Sequence, residues 1–154
     1  MIRIQYLFFF MVILLLSGCT AVNVRPVETE SKIAHVCVKD CSDMCFEGDM
    51  MSIIRDGFDR HGITTQVYTD NLPSECKYHL TYFCERTWDM ATYMHYAELK
   101  LFDGQNQIGY AEYRLKGKGG FSLMKWESTK DKMDPVIDQL LGEYPTVNMA
   151  PKKE

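Results

Sequence analysis

Cysteine is the residue of this 154-residue chain whose chemistry depends most on spacing, and the chain holds six. Cys37, Cys41 and Cys45 stand as C-x3-C-x3-C, with Met44, Met50 and Met51 close by. Soft thiolate and thioether sulfur suits Cu(I) or zinc, so the trio is a candidate metal or thiol-redox site. Neither interval is the C-x2-C of a zinc knuckle or thioredoxin-type motif. Cys37 also falls inside a strand pattern, and Met50 and Met51 lie on or beside a helical core stripe. The balance favours structural cysteines, with no metal and no cofactor expected.

Other reactive residues make weaker patterns. His35, His61, His79 and His95 are scattered, and there is no Ser-His-Asp order, nucleophile elbow or H-E-x-x-H. Glu85, Asp89, Glu98 and Glu112 form no recognisable acid–base pair in the sequence, so the chain is not expected to be an enzyme. Gly117-Lys118-Gly119-Gly120 lacks the order of a phosphate-binding loop; a strand exit using positive φ explains it more simply. Trp126 with Lys118 and Lys125, and Lys132 nearby, suits a partner contact. The plainer reading packs Trp126 on the sheet and turns the lysines to water.

Cys19 is different, because it closes an apolar run. Arg3 supplies a positive start, and Leu7 to Leu16 is unbroken Leu, Phe, Met, Val and Ile. A spanning helix needs about 20 apolar residues, so this shorter run reads as a secretory signal. Leu16-Ser17-Gly18-Cys19 resembles the lipobox of bacterial lipoproteins. That resemblance implies removal of residues 1–18, a diacylglyceryl thioether on Cys19 and an acylated amino terminus. Several acyl chains hold a protein to a membrane essentially permanently. The resemblance to lipoproteins further implies, from Thr20 rather than Asp after the cysteine, sorting to the outer membrane with the domain facing the periplasm.

The chain after Cys19 is one domain's worth. Losing Arg3 leaves 16 basic residues against 21 acidic, a formal charge of −5. An acidic chain without a basic stripe argues against a nucleic-acid partner.

Residues 19–32 mix Pro26, Glu and Thr without a period and read as a lipidated cysteine with an extended tether. A single domain is expected over residues 33–145, then a frayed tail over 146–154. Ile33 to Val38 reads as a buried strand, and Lys39 to Gly48 as a loop. Met50, Ile53, Ile54, Gly57, Phe58 and His61 make a helical stripe, with Asp49 as N-cap and Gly62 past the end. Ile63 to Thr69 alternates as a half-buried strand. From Cys76 the text is three strands; Tyr78, Leu80, Tyr82 and Cys84 share one face with Cys76, and His95, Ala97, Leu99 and Leu101 share one face of the next. Asp103-Gly104 turns the chain. A two-residue loop there pairs Leu99 with Ile108, and a four-residue loop pairs Leu101 with Ile108 and Leu99 with Tyr110. Met133, Val136, Ile137, Leu140, Leu141 and Tyr144 form a second helical stripe, with Asp134-Pro135 as its start and Pro145 as its close; an earlier helical segment over Ser122 to Lys132, which Pro135 would kink or end, is the alternative. The expectation is an α+β two-layer sandwich of order β-α-β-β-β-α, its sheet mostly antiparallel and its helices on one face. Phe83, Phe102, Tyr68 and Tyr96 are candidates for the uncovered face.

Arg60-His61-Gly62-Ile63-Thr64-Thr65, then Trp88-Asp89, then Gly117-Lys118-Gly119-Gly120 with Lys125-Trp126, Ser128-Thr129 and Lys132-Met133-Asp134-Pro135 carry a further resemblance. On these residues the chain resembles a small family of uncharacterised proteobacterial lipoproteins. The resemblance covers most of the domain and brings no activity with it. The flanks of Cys37 and Cys76 also resemble that family's text, which favours a Cys37–Cys76 bridge. Disulfides are the default in an oxidising compartment, and five cysteines leave at least one thiol over. Cys76 and Cys84, on one face of one strand, stand about 27 Å apart and cannot bond to each other. Cys41 and Cys45 can close a small loop bridge, leaving Cys84 as a buried thiol. The leading expectation is a non-catalytic accessory module docking on another envelope protein through the uncovered sheet face or the Gly117–Trp126 segment. The alternative is a metal or redox protein using Cys37, Cys41 and Cys45.

Overall fold

The computed structural model describes residues 20–41, 45, 50–116, 123–142 and 144. The signal segment with Cys19, Asp49, the Gly117–Gly120 run with Lys118, Pro145 and the tail lie outside the described residues. Among the described residues six strands and two helices follow in order: β1 (Thr20–Arg25), β2 (His35–Lys39), α1 (Met50–Arg60), β3 (Thr64–Tyr68), β4 (Tyr78–Asp89), β5 (Ala91–Asp103), β6 (Asn106–Leu115) and α2 (Thr129–Leu140). Short 3-10 turns cover Thr29–Ser31 and Leu123–Trp126. The chain is α+β, as expected. The expected order is two strands short: it omits β1 and counts three of the four strands between the helices.

The strands form one mixed sheet in the order β1-β6-β5-β4-β2-β3. β2 lies parallel to β3 across the α1 crossover and parallel to β4 on its other side. β4, β5 and β6 pair antiparallel in sequence order, and β1 pairs antiparallel with β6. Within the segment read as a tether, Thr20–Arg25 is therefore the edge strand, joined to β6 from Thr20 opposite Leu115 to Arg25 opposite Tyr110. Among the described residues the sheet takes in Thr20–Arg25 as well as the strands after Ile33. In β1 the alternation of Val22 and Val24 against Asn23 and Arg25 suits an edge, and Pro26 ends it.

α1 forms as its stripe predicts, with Met50, Ile53, Ile54, Gly57 and Phe58 buried. Its end is a Schellman motif: Gly62 sits at φ 70°, its N–H donates to Asp59, and Ile63 N–H donates to Phe58. α2 departs from expectation. It starts six residues before Pro135, because the Ser128 hydroxyl accepts from Asp131 N–H at 3.0 Å and caps it there. Pro135 faces water inside the helix, where the missing N–H costs one internal bond but no burial.

Along the central strands, alternate residues enter one core. Leu80 stands opposite Leu101, Tyr82 opposite Leu99 and Cys84 opposite Ala97. On the next strand Leu101 meets Gly109, Leu99 meets Ala111 and Ala97 meets Tyr113. Ile108 and Tyr110 thus do not oppose the leucines, whichever loop is assumed. Gly104-Gln105 is a two-residue turn, and a bulge between Leu101 and Phe102 shifts β6 by one residue, which exchanges its faces. A second bulge at His95 leaves Met94 buried and His95 only half-buried. α1 packs on α2 and β3, and α2 on β6 and β1.

Candidate functional site

The second set of alternate residues on the same strands is half-exposed and carries most of the polar chemistry. In register it reads Thr81, Lys100 and Tyr110, then Phe83, Glu98 and Glu112, then Glu85, Tyr96 and Arg114. Like charges directly opposite each other destabilise a sheet, so Glu98 beside Glu112 needs compensation. Tyr110 Oη lies 2.7 Å from Glu112 and 3.3 Å from Glu98, and donates to the nearer carboxylate. Lys100 pairs with Glu98, and Arg114 Nε reaches Glu112 at 3.0 Å. Tyr96 donates to Glu98 at 3.4 Å, and the Arg114 guanidinium stacks on the Tyr96 ring at 4.8 Å. The Tyr110 hydroxyl is pushed well above the usual range by burial and by both carboxylates. Its hydrogen bond, with that of Arg114, holds Glu112 below the usual carboxylate range. An acid held ionised in this way is a poor proton donor.

Aromatic side chains extend the same face. His79 stacks on Phe102 at 4.9 Å, and Phe83 tilts against Tyr96 at 6.1 Å. Burial lowers the His79 pKa. Phe83, Phe102 and Tyr96 share one side of the sheet by register, and Tyr68 shares it as the register partner of Lys39. The pairing of Glu98 with Glu112 across β5 and β6 was not legible, since it depends on the Leu101 bulge.

The cysteines divide in two. Cys37 bonds Cys76, with Cα atoms 5.9 Å apart, as the family resemblance implied. Cys45 bonds Cys84, not Cys41, with Cα atoms 5.1 Å apart. Cys41 keeps a buried thiol, and its N–H donates to the Tyr82 hydroxyl at 3.3 Å. The expected Cys41–Cys45 loop fails because Cys45 folds onto β4, where Cys84 faces the core. Two sulfurs of the metal-site trio are thereby engaged in separate disulfides.

Of the proposed contact residues, Lys118 lies outside the described residues. Lys125 is buried and pairs with Asp89; its ammonium also lies 4.7 Å from the centre of the Trp126 ring. Lys132 is buried too and donates to the carbonyls of Met94 at 3.2 Å and Lys125 at 2.8 Å. Trp126 is the exposed member, its Nε1 donating to the Asp89 carbonyl at 3.4 Å. Lys125 and Lys132 are thus inside and the tryptophan outside, the reverse of the plainer expectation. Arg60 reaches Asp134 at 3.2 Å and Asp138 at 2.9 Å, while His61 reaches Asp138 at 3.1 Å and the Tyr144 carbonyl at 2.9 Å. These contacts give Arg60, His61, Asp89, Lys125, Trp126, Lys132 and Asp134, among the residues behind the resemblance, a structural employment. One set locks α1 to α2, and the other ties the β4–β5 turn to the segment before α2.

No family model matches the chain, and no curated protein matches it. Among solved structures it is similar to a dodecamer of PelC from Paraburkholderia phytofirmans carrying one leucine-to-methionine substitution, 14% identical over 76% of this chain and 96% of that one, with TM-score 0.49. It is also similar to the PelC dodecamer from the same organism, 13% identical over the same shares, with TM-score 0.47. Scores at this level leave the reading of this chain to its own residues.

Proposed function

We propose that this chain is a bacterial lipoprotein, held to the outer membrane by acyl chains on Cys19, whose domain faces the periplasm as a non-catalytic accessory module. Its binding surface on this reading is the half-exposed face of β4, β5 and β6, docking an envelope protein. The observation that carries the reading is that face itself: ionised Glu112 with Glu98, Lys100 and Arg114, interleaved with Phe83, Tyr96 and Phe102. Aromatic rings and Arg are the side chains that anchor interfaces. Two disulfides suit an oxidising compartment, and the Leu-Ser-Gly-Cys motif supplies the anchor. The fold belongs to the same proposal as a two-layer sandwich with both helices on the core side. In support, α1 and α2 pack on each other and the opposite strand residues stay half-exposed. Among the described residues no helix is long and apolar enough to cross a membrane.

The test is photocrosslinking in intact cells from Lys100 and Phe83, with Asp56 on the exposed side of α1 as control. A discrete envelope-protein adduct from the first two positions alone supports the reading. Equal labelling from all three positions, or none from any, rejects the sheet face as the docking surface.

A further inference from the structure

The exposed apolar side chains are not spread evenly. Trp88 is 73% exposed, Met90 82% and Trp126 43%, and all three gather at the β4–β5 turn. Trp126 belongs there because its indole donates to the Asp89 carbonyl. Met90 occupies the turn with φ 60°, a left-handed conformation that disfavours a side chain of its size. A glycine or asparagine would relieve the backbone and the exposure together, so the methionine there needs another reason.

The sheet supplies the direction. β1 and β5 both run antiparallel to β6, so Thr20 and Ala91 begin their strands at the same end of the sheet. Arg114 stands opposite Tyr96, one residue short of the Thr20–Leu115 pair. The turn lies about five residues further along, roughly 15 Å at strand rise. No tether separates Cys19 from β1, because pairing starts at Thr20. Acyl chains on Cys19 would therefore bring this end of the sheet, and no other, against the lipid.

We propose that the β4–β5 turn is a membrane wedge, with Trp88, Met90 and Trp126 seated in the interfacial layer of the bilayer that holds the Cys19 lipid. This rests on the lipoprotein reading above. Tryptophan favours the headgroup level, where one end of the ring is apolar and the other wet. The nearby Lys125–Asp89 pair balances its own charge, which limits the cost of approaching lipid. Docked at both points, the domain is fixed in orientation rather than swinging on its anchor.

Trp88 and Trp126 are the two tryptophans of the chain, so its indole fluorescence reports this patch alone. The full acylated protein is reconstituted into phosphatidylethanolamine–phosphatidylglycerol vesicles, with and without brominated acyl chains. The expected result is emission shifted to shorter wavelength and quenched by bromine, with about half the quenching lost in Met90→Glu at unchanged melting temperature. Protein that floats with vesicles but keeps water-like, unquenched emission overturns the wedge and leaves the anchor intact. Blue-shifted emission without bromine quenching means that protein covers the turn, which also overturns it. A mass without acyl chains removes both the wedge and the lipoprotein reading.

Discussion

Lysine is seldom buried without a partner, and Lys132 solves the problem with carbonyl oxygens rather than a carboxylate. Burial brings its pKa down to about 8; Glu127 opposes that fall and Arg86 adds to it. An unfolded lysine titrates near 10.4. Between those values the unfolded chain binds a proton that the folded chain has released, so stability rises with pH from about 8 to about 10.4. Below pH 8 the cost of the buried cation is fully present. Above about pH 10 the tyrosines oppose the trend, since burial raises the hydroxyls of Tyr110 and Tyr113, the latter to about 12. The clean window is pH 7 to 9.5. Across it the melting temperature of the natural protein should gain about 4 °C on Lys132→Met, which lacks this titration. Parallel pH profiles would show that Lys132 titrates as an exposed lysine. The residue scale was the least legible in the sequence. Lys125 and Lys132 read as solvent-facing because a long side chain conceals where its ammonium ends. Cys45 and Cys84 read as unrelated because their meeting depends on how a loop folds over a strand.

Elements were more legible where the signal was local. The α1 stripe and its Gly62 end are written in adjacent residues and formed as read. Asp134-Pro135 drew the start of α2 too late because the Ser128 cap was not recognised, and the β6 register was missed because a bulge leaves no mark in the alternation. β1 went unseen for another reason: six weakly apolar residues make a strand only when β6, some ninety positions later, is there to pair with. The helix contact can be tested directly. A Cβ on Gly57 would lie 2.6 Å from Ile137 Cγ2, on a branched side chain that is fully buried. Alanine gains about 1 kcal/mol of helix propensity over glycine, whereas overpacking a tight core costs about 1–3 kcal/mol. The clash should win, with Gly57→Ala destabilising by about 1 kcal/mol in urea melts. On an Ile137→Ala background the same change should become neutral or stabilising. Additive effects in that double-mutant cycle would mean the helices do not meet at Gly57.

At the scale of the molecule, the N-terminal arm joins the anchor to the core. β1 covers the edge of β6, and Val27 is fully buried with its N–H donating to the Leu140 carbonyl at 2.9 Å. Val27 and Leu140 fill the space left by Gly109, where a Cβ would meet their side chains at 2.7 and 3.0 Å. Further along, the Ser31 carbonyl accepts from Tyr78 at 2.7 Å, and Ile33 N–H donates to Tyr144 at 3.1 Å. A dispensable tether would make none of these contacts. A protein beginning at Ile33, the boundary that composition suggests, should therefore lose more than reach. It would open a β6 edge along the whole of the former β1 pairing and leave a cavity beside Gly109. Unpaired edges of that kind pair with other copies. The truncated protein should elute as dimers or aggregates and lose its sharp melt. One beginning at Thr20 should stay monodisperse and keep a sharp melt. Equal melting temperatures and equal elution for the two truncations would mean that the arm lies on the fold without supporting it, and the anchor would again be free to swing.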